Sequence, residues 1–188
     1  MGLRMGQYSI SGGMCLLLAL FLMVLPLPWV LSALIAMAVH EIFHTIAVIC
    51  CGGKIHFVRA GTKGMEMEVS GLSNAQELIC AAAGPLGGLC LLFFARWFPR
   101  IALCGLVQSV YNLLPLFPLD GGRIIRCVAS MFLPRHADHL CKWVERVSKI
   151  AIFLMGIAVT AVWNLGIFPI CVACITLIRT KSEKSLEN

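Results

Sequence analysis

Two imidazoles and a carboxylate fall within five residues at His40-Glu41-Ile42-Phe43-His44, inside an apolar stretch. On a helix, residues four apart project from one face, so both imidazoles can reach one metal ion, with Glu41 beside them to take a proton from water. Ionisable side chains at membrane depth are costly and mark function by default. A pair of hydrogen-bonded buried histidines would be the bland alternative. A hydrolytic zinc uses three protein ligands and leaves a fourth position for water. The candidate for the third ligand is Asp120, in Asn-Leu-Leu-Pro-Leu-Phe-Pro-Leu-Asp-Gly-Gly-Arg from Asn112 to Arg123. There Pro115 and Pro118 exclude a regular helix. Gly121 and Gly122 are expected to let the backbone bend, turning Asp120 inward on a broken span. Standing alone, that stretch would read as a surface Asp-Gly turn.

The elements that must position these residues are read from composition. Of 188 residues, 60% are hydrophobic and 13% charged, against roughly 45–50% and 25% in an ordinary soluble domain. Apolar segments run at about 14 to 25, 29 to 51, 75 to 95, 101 to 117, 147 to 164 and 166 to 179. The expected fold is therefore an all-α polytopic membrane protein of about six transmembrane helices, one membrane-embedded domain over 1–188, with a loose polar tail at 180–188. The first segment reads as a retained helix rather than a cleaved signal. Pro26 to Pro28 and Asn164 to Gly166 supply the turns at either end of the chain.

Six crossings place both termini on one side. With a cytoplasmic N-terminus, thirteen of the fifteen Lys and Arg fall on the cytoplasmic side, leaving Arg96 and Arg100 opposite; that bias sets the expected orientation in the cell membrane. On this plan His44 lies about 10 Å of helix rise from the cytoplasmic end near Cys51, and Asp120 closes the fourth segment at the same side. Both motifs then fall in the inner half of the bilayer.

Gly52 to Gly71 carries short alternating stretches separated by Gly61 and Gly64, the pattern of a small β-hairpin between the second and third segments. Its free edge could take an extended peptide by strand addition, or it could simply connect two helices. Residues 120 to 149 form the largest cytoplasmic connection, basic and partly amphipathic, expected along the inner membrane surface. Most of the ten Cys, among them Cys15, Cys80, Cys90, Cys104, Cys171 and Cys174, sit in apolar runs as small hydrophobes. The Cys50-Cys51 and Cys171-x-x-Cys174 pairs lack nearby groups that would activate a thiol.

Taken together, the two motifs resemble the site-2 protease family of intramembrane metalloproteases, marked by H-E-x-x-H on one span and N-x-x-P-x-x-P-x-D-G on a later one. The resemblance implies one Zn2+ per chain held by His40, His44 and Asp120, Glu41 as general base, and Asn112 handling substrate or the developing oxyanion. A Gly-Pro pair typical of the intervening span matches Gly84-Pro85, although Gly88 stands where an Asn often follows; close helix packing explains these glycines equally well. The six-span plan without an inserted PDZ domain is similar to the sporulation branch, in which a membrane protease activates a sigma-factor precursor. The C-terminal CBS domain frequent in that branch is not expected here. The implied partners are a membrane-associated protein substrate, the lipid bilayer and a membrane regulatory protein; nothing in the sequence points to nucleic acid. The alternatives are a membrane zinc carrier and a non-proteolytic client-binding protein. A carrier does not need Glu41, and a binding protein would be expected to have lost a catalytic residue.

Overall fold

The computed structural model describes residues 2–5, 8–11, 22–23, 25–61 and 64–163. In chain order these form β1 (Gly2–Met5), β2 (Tyr8–Ser11), α1 (Leu27–Cys50), β3 (Lys54–Gly61), β4 (Gly64–Ser70), α2 (Asn74–Cys90) continued by a 3-10 turn (Leu91–Phe94), α3 (Pro99–Asn112), α4 (Asp120–Phe132) and α5 (Ala137–Trp163). The chain divides into two compact units, Met1–Leu113 and Leu114–Asn188.

In the first unit, α1 opens at Pro26 with Pro28 in its first turn, where the missing N–H costs nothing. It closes at Gly52, whose φ of 77° suits glycine. There Gly52 N–H donates to the Ile49 carbonyl and Gly53 N–H to that of Val48, satisfying the last carbonyls of the helix. Helix α2 starts on a capping box: the Ser73 hydroxyl accepts from Gln76 N–H while the Gln76 side chain accepts from Ser73 N–H. The Gln76 amide also donates to the Cys51 carbonyl at 3.0 Å, tying the start of α2 to the end of α1.

The expected hairpin is present as antiparallel β3 and β4, with an irregularity between Ile55 and Phe57. It is not isolated. β2 pairs parallel to β3 and antiparallel to β1, giving a four-stranded sheet in the order β1-β2-β3-β4. The two N-terminal strands escape a reading based on apolar run length, because residues 2–11 are too short and mixed to show a period. Ile55, Met67 and Val69 pack on a small core of Ala47, Val48 and Cys80, so the sheet is seated on the ends of α1 and α2.

Among the described residues, two helices are long and apolar enough to cross a membrane, α1 and Asn74–Phe94. Only 28% and 33% of their apolar windows are buried. In α1 most buried positions are small or polar (Ser32, Ala36, His40, His44, Ala47), joined by Val30 and Val48, while the larger Leu31, Ile35, Ile42, Ile46 and Ile49 face outward. That distribution inverts the pattern of a water-soluble helix and suits a lipid-facing one.

The remaining expected segments differ. Helix α3 has 14 residues and stops at Asn112, not near 117. The connection expected at 120–149 is two helices, and the second, α5, runs unbroken through the fifth expected segment to Trp163. Most of the first expected segment, all of the sixth and the polar tail lie outside the described residues.

Candidate metal centre

α1 carries His40 and His44 on its buried stripe, 1% and 9% exposed. Their rings meet edge to face, with centroids 4.8 Å apart and planes at 82°. His44 Nδ1 lies 2.7 Å from the Cys80 carbonyl oxygen, which can only accept, so Nδ1 carries the proton and Nε2 carries the lone pair. A carbonyl partner of this kind is what fixes the tautomer of metal-ligating histidines. The two Nε2 atoms face each other at 3.2 Å. Two ligands 2.0–2.1 Å from one tetrahedral zinc ion would be about 3.3 Å apart.

Room for this arrangement comes from Gly84 on α2. A Cβ there would overlap His44 Nε2 and stand 2.7 Å from His40 Nε2. The next small residues on α2 serve the α2–α3 crossing: a Cβ at Gly88 would collide with the Ser109 hydroxyl, and one at Gly105 would lie 2.7 Å from the Gly88 carbonyl. Ser109, fully buried, donates to the Pro85 carbonyl at 2.9 Å. One turn further along α3, Asn112 brings its Nδ2 to 3.2 Å from His40 Nε2. The sequence motif named Asn112 but gave no sign that Ser109, Gly105 and Cys80 support the same corner; their roles arise from helix crossings and a backbone carbonyl, which leave no motif.

Glu41 is half-buried on α1, next to His40. In the second unit, Asp120 is 8% exposed and is the first residue of α4, following Leu119 in extended conformation. A carboxylate in the first turn is favoured by the helix dipole. The expected bend at Gly121 and Gly122 is not what is found, since both lie within α4. Gly122 is instead a close-approach residue: a Cβ would sit 2.6 Å from the carbonyl carbon and oxygen of buried Leu116, so its absence lets the preceding turn fold onto the helix start. His40, His44 and Asp120, all three buried, are a group that could hold a metal ion. Two imidazole nitrogens and one carboxylate oxygen are a donor set suited to zinc.

No family model matches the chain. It is similar to a zinc metalloprotease of Methanocaldococcus jannaschii, 28% identical over 110 residues, covering 51% of this chain and 32% of that protein. The chain thus spans about a third of the length of that curated relative. Its fold is that of a solved site-2 protease from Methanocaldococcus jannaschii, which it matches with a TM-score of 0.64 at 19% identity over 97% of this chain and 94% of the other.

Proposed function

We propose that this protein is a zinc metalloendopeptidase that hydrolyses a peptide bond of a membrane-associated protein within or near the bilayer. The observation that carries the reading is the pair of facing Nε2 atoms, 3.2 Å apart beneath Gly84, with Glu41 adjoining. Similarity to a zinc metalloprotease and the fold of a site-2 protease support it.

His40, His44 and Asp120 would hold the ion, which when bound supplies Lewis acidity and brings the pKa of water down towards ~7. Glu41 takes the proton of the attacking water and returns it to the leaving amine. Asn112, at the His40 edge of the site, donates its amide N–H to the oxyanion as it forms. Cys80 keeps His44 in the tautomer that presents Nε2. β4 ends the described sheet and is anchored by Met67 and Val69 on the core next to His44. Its outer edge would hold the substrate extended, exposing a carbonyl that a helix would shield. The chain is read as multi-pass, with both termini cytoplasmic. A sigma-factor precursor of sporulation is one substrate of this class, and that narrower assignment rests on the sequence resemblance alone.

The test is cleavage of a fluorogenic peptide with an apolar segment by detergent-purified protein. Glu41→Gln is expected to lower turnover by about 10²- to 10⁴-fold with metal content unchanged. Full activity in that variant would remove Glu41 as the base; metal uptake without any hydrolysis by the wild type would favour a carrier.

A further inference from the structure

The α4–α5 corner combines three features that the metal centre does not use. Met131, Phe132 and Leu133, at the end of α4, are exposed, Phe132 to 75%. Along α5, Lys142, Trp143, Arg146, Val147 and Ile150 recur at helical spacing and are all exposed, Trp143 to 56%. Beyond Lys149 the helix has no charged residue to its end at Trp163, and Leu154, Met155 and Ile157 remain exposed. The α5 surface therefore grades from cationic and aromatic to purely apolar, the profile of a helix passing from headgroups into hydrocarbon.

The charge at this corner is one-sided. Arg135, Lys142 and Arg146 stand at or next to the exposed stripe. Of the two acidic residues on α5, Glu145 is paired with Lys149 at 2.5 Å, leaving Asp138 as the opposing charge. Arg126 is turned over the Phe117 ring, 4.4 Å from its centroid, and does not join the stripe.

We infer that this corner is a binding surface for anionic phospholipid: Met131 to Leu133 and Trp143 enter the interface while Arg135, Lys142 and Arg146 hold phosphate-bearing headgroups. Each cation near an anionic bilayer surface strengthens attraction to it by about fivefold in affinity. Three, partly offset by Asp138, give a preference that salt weakens and does not abolish, because Trp143 and Phe132 remain inserted. The inference rests on the membrane reading given above, and the experiment separates the two.

Variants retaining only Trp143, or only Trp97, are placed in nanodiscs containing brominated phosphatidylglycerol or brominated phosphatidylcholine at the same mole fraction. Trp97, 67% exposed and part of the first unit, reports insertion and should be quenched comparably by both lipids. Trp143 should be quenched about threefold more by the anionic lipid, and Arg135→Gln/Lys142→Gln/Arg146→Gln should level that preference while leaving Trp97 unchanged. Equal quenching of Trp143 by the two lipids, with Trp97 quenched, would overturn the lipid-binding surface alone. Absence of quenching at Trp97 would overturn the membrane reading and this surface with it. A Trp143 shielded from both lipids while Trp97 is quenched would identify the corner as a protein contact instead.

Discussion

His40 and His44 ride on an uninterrupted helix of 24 residues, whereas Asp120 opens a helix after the irregular chain at 113–119, with Pro115 and Pro118 in it. The first placement is enforced locally. Residues four apart on any α-helix share a face, so the two imidazoles would lie together even in a partly folded chain. The second is conditional: Asp120 is oriented by the turn of Leu116 to Leu119 against Gly122, and nothing within that segment says what its carboxylate should meet. A ligand pair made by helix periodicity is robust to changes nearby, and a ligand held by a folded turn is not.

That contrast can be broken at its conditional end. Asp120→Ala should lower zinc affinity by more than about 100-fold, a larger loss than is typical for an outer-shell partner. The check is metal content of the purified protein after dialysis against a weak chelator. About one zinc per chain in the wild type and little in the variant is the expected result; equal content in both would mean that Asp120 is no ligand.

Two glycines sharpen the comparison. Gly84→Ala pushes a methyl group onto His44 Nε2 and should expel or weaken metal while costing about 1–3 kcal/mol of stability. Gly122→Ala meets backbone rather than side chain, so it should cost at least as much stability, yet leave the His40–His44 pair intact. Cobalt substitution followed by absorption spectroscopy separates the outcomes: a lost or distorted spectrum in the first, and in the second a spectrum of reduced ligand field from two histidines.

The smallest effect is expected at Ser109→Ala. It removes one buried hydrogen bond to the Pro85 carbonyl, about 1 kcal/mol. Thermal unfolding in detergent should register a small drop with zinc content unchanged. A complete loss of metal would show that the α2–α3 crossing governs the site more tightly than one hydrogen bond implies.

How legible these features were in the sequence follows the same division. The H-E-x-x-H spacing and the apolar runs that become α1 and α2 express local rules and could be read directly. The early end of α3, the continuity of α5 and the participation of β1 and β2 in a sheet could not. An apolar run does not reveal where a helix stops when the next residues are Leu-Leu-Pro, and β pairing joins segments more than forty residues apart. Gly121 and Gly122 were legible as unusual but misread as a bend, because a glycine chosen for close approach looks the same in sequence as one chosen for its φ.

By itself the sequence supplied the candidate groups: two imidazoles, a neighbouring carboxylate and a distant aspartate, in a chain that is 60% hydrophobic. Residue type and helical period suffice for that. Tertiary structure decided the geometry. The Cys80 carbonyl on His44 Nδ1, the missing Cβ at Gly84 above the two Nε2 atoms, and the α3 crossing that delivers Asn112 to His40 all depend on helices meeting at particular positions. Such contacts arise from close packing between segments, which no single segment encodes.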